Sequence, residues 1–379
     1  MKVVVAPDSF KESMTAAEAA AAMARGVLAV HPGAECIQVP MADGGEGTAR
    51  TLLDALGGRW VQVATTDALG RPIEAGYALL PGGLAVIEVA SAVGLGLIEP
   101  ADRDVLRSCS LGVADLVLDA LSAGADRLVI GLGGSATTDG GAGLLAGLGA
   151  AWLDDSGRRL HPVPAELARL ARLDLTGLDP RLSGVRLQVA SDVTNPLLGE
   201  RGSAAVFGPQ KGASPEQVAE LDTILARVAD ALVAAGADDV RDSPGAGAAG
   251  GLGAAFLVLG AELRPGVEVV AEAVGLADRV RGADLVLTGE GSIDGQTLHG
   301  KAPAGVADVA AALGVPVIGF AGRIGPGAEA LLERGFAGLV PIVEAPFDLA
   351  TALREGPANL ERAVAGTLRE RAGWAAGRP

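Results

Sequence analysis

The chain has 379 residues, 49% of them apolar and 20% charged, with 30 basic against 46 acidic side chains and a net charge of −16. That length suits about two domains with separate cores, and the composition is that of a folded chain rather than a disordered one. The acidic surplus argues against a nucleic-acid partner or an anionic membrane surface, so any anionic ligand must be held by a local cluster of cations working against the overall field.

Cys36 and Cys109 are the only cysteines and neither stands at metal-ligand spacing, which fits a reducing compartment and a cytoplasmic location. The N-terminus runs from Lys2 straight into VVVAPD, too short for a secretory apolar region. Ser243 to Ala261 is uncharged, but Pro244 and its many Gly and Ala residues suit a tight helix start better than a membrane span. Only four of the 30 basic residues are lysines, and Lys11, Lys211 and Lys301 stand in turns rich in Gly, Ser or Asp. A chain this biased towards Arg keeps Lys where a compact ammonium has a task.

Val3 to Ala6 is a short continuous apolar run, the mark of a strand buried on both faces. Pro7 to Ser13 follows, then Thr15 and Glu18 form a capping box for a helix over Ala16 to Val30. Polar groups at the carboxyl end of a strand are where open α/β sheets bind ligands, which makes Ser9 and Lys11 site candidates. Ile37 to Pro40 is a second strand, and MADGGEGT (41–48) repeats the layout, with Asp43 as either a helix cap or a substrate contact.

From Trp60 the period changes. Val61–Ala64, Glu74–Leu79 and Leu84–Val89 read as short strands joined by Gly/Pro turns, a meander with no room for helices between. A helix over Leu111 to Ala123 then leads into a strand, Leu128 to Ile130, which stops at the glycine-rich stretch GLGGSATTDGGAG (131–143). Strand, glycine loop and helix together suit a phosphate or a carboxylate. A dinucleotide fingerprint competes there, since Gly131, Gly133 and Ala136 fit it and Asp154 and Asp155 lie downstream. Against it, Asp139 would face a pyrophosphate unless a metal lay between.

Arg186 to Ala190 is another strand, ending in Ser191, Asp192, Val193, Thr194, Asn195 and Pro196. Asp and Asn together at a strand end suit a metal or a hydroxyl substrate, or else a turn before the proline. Lys211 precedes a long helix over Pro215 to Ala235. Strand–helix alternation resumes with Asp284–Leu287, followed by a loop carrying Glu290, Asp294, His299 and Lys301, then helix 302–313, strand 315–320, helix 328–334 and strand 338–343. Gly295 to Lys301 fits a P-loop except at its last position, where Ala302 replaces the metal-binding hydroxyl. The expected class is α/β with two domains: a Rossmann-like or flavodoxin-like parallel sheet formed by both termini (1–64 plus 280–379), and an inserted mixed α/β domain (65–279) holding the β meander and the glycine-rich loop.

Five blocks, APDSFKESMTA (6–16), MADGGEGT (41–48), GLGGSATTDGGAG (131–143), SDVTNPLLGERGSAAVFGPQKGA (191–213) and LTGEGSIDGQTLHGKAP (287–303), resemble the bacterial glycerate kinase family of type 1. The resemblance spans nearly the whole chain. It implies ATP-dependent phosphorylation of D-glycerate, usually to the 2-phosphate, with Mg²⁺. Beside it stand two residue-level alternatives, a nicotinamide-dependent hydroxyacid oxidoreductase and a non-catalytic small-acid binder.

Phosphoryl transfer asks a protein for positioning, neutralisation of charge and a group to take the hydroxyl proton. On that chemistry Asp192 is the first candidate base and Asp294 the second, with Lys301 a third catalytic candidate. Ser9, Lys11, Asp43 and Asn195 would hold substrate; Gly133, Gly134, Ser135, Thr137, Lys211 and Glu290 would meet nucleotide phosphates; Asp139 would stand near the metal. The oligomeric state is open, a homodimer included.

Overall fold

The computed structural model describes residues 1–298, 300–343 and 348–371, with Gln296 described by its backbone alone. Its strands, in chain order, are β1 (Lys2–Val5), β2 (Glu35–Gln38), β3 (Arg59–Thr66), β4 (Pro72–Leu80), β5 (Leu84–Glu88), β6 (Arg127–Gly131), β7 (Ala151–Leu153), β8 (Arg172–Asp174) and β9 (Arg186–Ala190). They continue with β10 (Glu262–Arg264), β11 (Leu285–Ile293), β12 (Val317–Ile324) and β13 (Phe336–Pro341). The chain divides into two compact units: Met1–Asp43, Arg50–Gly57 and the chain from Pro265 onwards form the first, and Gly44–Ala49 with Gly58–Arg264 the second.

The first unit carries a five-stranded sheet in the order β13-β12-β11-β1-β2, parallel throughout. Val3, Val4 and Val5 are fully buried in its centre, as the unbroken apolar run requires of a strand covered on both faces. The helix Ala16–Val30 starts with the capping box Thr15/Glu18. It packs on the helix Gly356–Glu370 so closely that a Cβ at Gly26 would lie 2.7 Å from the Glu361 carbonyl oxygen. Only a glycine permits that approach.

The second unit carries a six-stranded sheet, β10-β9-β6-β5-β4-β3, parallel from β10 to β5 and antiparallel through β4 and β3. Its core includes Tyr77, Leu128, Ile130, Leu144, Trp152 and Phe256. The polar tips of the two large aromatics are paired, as buried tips must be: Tyr77 Oη donates to Asp119 Oδ1 at 2.7 Å and Trp152 Nε1 to the Ala142 carbonyl at 2.9 Å. The small hairpin β7-β8 completes the unit's strands among the described residues.

The α/β class, with a parallel sheet drawn from both chain ends and a mixed sheet inserted between, agrees with expectation. The seams differ in detail. β3 pairs along its length with β4, so the second unit begins before residue 65, whereas the helices Gly266–Ala273 and Leu276–Val280 count with the first unit. β11 runs on to Ile293 instead of stopping at Leu287, because its partner β12 also continues, pairing Glu290 with Ala321 and Ser292 with Arg323. Glu290 is thus a strand residue rather than a loop residue. No helix among the described residues is long and apolar enough to cross a membrane.

Candidate active site

At the carboxyl ends of β1 and β11 the first unit encloses a cavity of about 430 Å³. Its polar wall is made by Asp8, Ser9, Lys11, Asp43, Glu290, Ser292, Lys301 and Arg323, and its apolar wall includes Phe10, Ile342, Leu349 and Leu353. Sheet register brings these residues together. The Ala6 amide donates to the Leu287 carbonyl at 2.7 Å and the Asp8 amide to the Gly289 carbonyl at 2.8 Å, which extends the ladder past the formal end of β1. Thr288 Oγ1 fixes the same junction through the Ala6 carbonyl at 2.7 Å.

Beyond Asp8 the chain turns back on itself, since Phe10 and Met14 exchange two backbone hydrogen bonds of 2.9 Å. Lys11 and Glu12 are thereby presented at the tip. Glu12 adopts φ +64°, a left-handed conformation that strains a non-glycine residue and that clusters at functional sites. Ser13 anchors the turn by donating from Oγ to the Leu353 carbonyl at 2.6 Å.

Glu290 is 8% exposed and fastened at both oxygens. Oε1 accepts from Thr297 Oγ1 at 2.7 Å, and Oε2 lies 3.3 Å from Lys301 Nζ. Burial pushes its carboxyl above the usual range, opposed by Thr297 and Lys301. Asp8 accepts the Ser9 amide at 2.6 Å through Oδ1. Burial, with Asp43 and Glu290 nearby, pushes the Asp8 carboxyl up to about 7.

Five candidates from the sequence therefore share one cavity: Ser9, Lys11, Asp43, Glu290 and Lys301. Asp294 follows the end of β11, where its amide meets Thr297 Oγ1 at 3.2 Å, and does not line that cavity. His299 lies outside the described residues. Asp8, Ser292 and Arg323 are wall residues that sequence reasoning passed over. Asp8 carries the same strand-end signal as Ser9, whereas Arg323 was hidden by the expectation that its strand ended at Phe320.

The second unit holds the other candidates. Gly133 and Gly134 form the exposed tip of the glycine-rich loop, and Ser135 to Gly140 are buried. Asp139 is fully buried and accepts four hydrogen bonds, from the Ser110 amide (2.8 Å), Ser110 Oγ (2.7 Å), and the Gly143 (3.0 Å) and Gly141 (3.1 Å) amides. Three of the donors converge on Oδ2 and one on Oδ1, so Asp139 fastens the loop. Among the described residues there is also no group of three or more His, Cys, Asp and Glu side chains able to hold a metal ion.

Lys211 is 2% exposed, and its Nζ donates to the Thr137 carbonyl at 2.6 Å and to Ser135 Oγ at 3.2 Å. Burial pushes this ammonium down to about 7. The hydroxyls of Thr137 and Thr138 are buried without a hydrogen-bond partner. Gly131 faces the chain's own backbone, with a Cβ there falling 2.9 Å from the Gly44 carbonyl oxygen. The crevice bounded by Gly131, Gly133, Gly44 and Gly45 has no volume for a water molecule. Glu88, not singled out by sequence, caps the neighbouring turn by accepting the Ala49 (2.7 Å) and Gly47 (3.1 Å) amides.

Asp192 is exposed beyond β9. Asn195 is half-buried, donating from Nδ2 to the Arg201 carbonyl at 2.7 Å while its backbone carbonyl accepts the Gly247 amide at 3.0 Å. Those bonds hold the segment 191–197 in shape.

The model of the glycerate kinase family matches residues 3–371 of this chain. A glycerate kinase of Bacillus subtilis (strain 168) is 47% identical over 364 residues, covering 96% of this chain and 95% of that protein. A glycerate 2-kinase of Escherichia coli (strain K12) is 43% identical over 373 residues, covering 97% and 98%. The crystal structure of a candidate glycerate kinase 2 from Salmonella typhimurium LT2 superposes with a TM-score of 0.91 at 43% identity, covering 99% of both chains.

Proposed function

The chain belongs to the glycerate kinase family, and from that premise we propose that it transfers the γ-phosphoryl group of ATP, supplied as its Mg²⁺ complex, to D-glycerate, giving 2-phosphoglycerate. The observation that carries the reading is the first unit's cavity, where Lys11, Lys301 and Arg323 stand in one wall at the carboxyl ends of parallel strands. Glycerate is a small anion with two hydroxyls. In a chain of net charge −16, a local cluster of cations is what such a substrate needs. Lys11 and Arg323 neutralise its carboxylate, Ser9 and Asp43 hydrogen-bond its hydroxyls, and Lys301, restrained by Glu290, faces the incoming phosphoryl group.

The exposed tip Gly133–Gly134 supports contacts with nucleotide phosphates through backbone amides. Lys211, Ser135 and Thr137 act beneath it by setting the shape of the loop. Mg²⁺ enters on the nucleotide, consistent with a cation that keeps its waters and binds mainly through substrate phosphates. The two free cysteines support a cytoplasmic location.

The test is ADP release by purified protein with Mg-ATP, with D-glycerate present or omitted. Release that depends on D-glycerate supports the reading. Folded protein that binds D-glycerate without releasing ADP would instead be a small-acid binder, and the proposal would fall.

A further inference from the structure

Four carboxylates line the cavity of the first unit, Asp8, Glu12, Asp43 and Glu290, of which Glu12 is exposed at the tip of its turn. Glu290 is committed at both oxygens to Thr297 and Lys301. Asp294, beyond the end of β11, is not among the residues that line the cavity. Asp8 is different. Its backbone is tied into the sheet through the Gly289 carbonyl at 2.8 Å, its Oδ1 accepts the adjacent Ser9 amide at 2.6 Å, and it is half-buried at the cavity wall.

From this geometry we propose that Asp8 is the catalytic residue that takes the proton from the attacked hydroxyl of glycerate. The inference rests on the reading of the cavity as the glycerate site. In the step, the substrate O–H bond breaks and its proton passes to the Asp8 carboxylate. The oxygen's electron pair forms the new bond to the γ-phosphorus, and the bond from that phosphorus to the bridging oxygen breaks with its pair leaving on ADP. Lys11 and Arg323 hold the carboxylate end of the substrate, so that a hydroxyl is turned towards the strand end where Asp8 sits.

The charged groups around Asp8 are Lys11 and Glu12 on its own turn, Asp43 after β2, Glu290 on β11, Arg323 on β12, and Lys301 before the helix Ala302–Ala312. Burial and the two acidic neighbours hold the Asp8 carboxyl near neutrality, where a general base works best.

The experiment compares wild type, Asp8→Asn and Asp8→Glu by steady-state kinetics across pH, with glycerate affinity measured separately by calorimetry. Wild-type kcat is expected to rise with pH through about 7. Asp8→Asn should lower kcat by about a thousandfold and abolish that rise, with glycerate affinity changed by no more than about threefold. Asp8→Glu should regain part of kcat and move the rise to a new pH, which a residue of merely structural importance would not do. Asp8→Asn keeping more than about a tenth of wild-type kcat, or keeping the same pH dependence, overturns the assignment while the kinase reading stands. Wild-type protein that releases no ADP with D-glycerate overturns both.

Discussion

Glu290 on β11 and Lys301 at the start of the helix Ala302–Ala312 meet in one cavity wall with Oε2 and Nζ 3.3 Å apart. The glutamate side chain is 11% exposed and the lysine side chain 32%, so the pair is neither a solvated surface bridge nor a fully dry one. Removing the lysine strands a nearly buried anion, which is the costly half of breaking such a pair. Lys301→Met is expected to cost about 1–2 kcal/mol in urea unfolding, and to lower kcat more than tenfold if Lys301 faces the phosphoryl group. Full activity in a destabilised Lys301→Met would leave the lysine with a structural role only.

Asp8 carries a stability signature that can be measured without substrate. Its carboxyl is raised from the ordinary 3.8 to about 7 in the fold, so the folded state binds the proton more tightly than the unfolded chain. Its favourable contribution is full below pH 3.8 and is lost as pH rises towards 7. Asp8→Asn should therefore be more stable than wild type above pH 7, by up to about 4 kcal/mol, with the gap closing towards pH 4. Gain of stability with loss of turnover is what a strained functional group predicts. A variant less stable than wild type at pH 8 would mean that Asp8 is a fold contact.

The glycine-rich loop depends on Asp139. With four donors converging on a fully buried carboxylate, Asp139→Ala leaves the Ser110, Gly141 and Gly143 amides unpaired, and a loss of about 3–5 kcal/mol is expected. Thermal or urea unfolding with and without Mg²⁺ provides the check. An Asp139→Ala protein that is equally stable but needs far more Mg²⁺ would restore the metal role to this residue.

Lys211 titrates in the opposite sense to Asp8. Its folded value of about 7 lies below the ordinary 10.5, so the fold disfavours the charged form and wild-type stability should rise as pH climbs from 7 to 10. Lys211→Met removes the ionisable group and should flatten that rise. A slope unchanged in Lys211→Met would show that another group titrates there.

Gly26 is a close-approach glycine in the helix Ala16–Val30, where a Cβ would meet Glu361 O at 2.7 Å and Val364 Cβ at 2.8 Å. Gly26→Ala should destabilise by about 1–3 kcal/mol despite the better helix propensity of Ala. Stabilisation on substitution would show that the two helices have room to part.

Much of the site was legible because parallel strands gather their carboxyl ends, so that residues 9, 11, 43, 290 and 301, scattered along the chain, were all marked by one rule. Asp8 was passed over because its side chain differs from Ser9 and Lys11 only in what surrounds it, Asp43 and Glu290, and both neighbours are remote in sequence. Arg323 was hidden because Gly319 and Gly322 interrupt the apolar pattern, while pairing with β11 carries the strand on to Ile324. The bonds from Ser110 to Asp139 were not legible, since nothing in the sequence links two residues 29 positions apart. The unit seams shifted for the same reason, with β3 assigned by its antiparallel partner rather than by its own residues.

The most direct test of the central claim is phosphorus NMR of the product formed from Mg-ATP and D-glycerate by wild-type protein. A new phosphomonoester signal coupled to the C2 proton, appearing together with ADP, is the predicted result. A signal coupled to the C3 protons would keep the kinase and overturn the attacked hydroxyl, and ATP left intact beside folded protein would contradict the account.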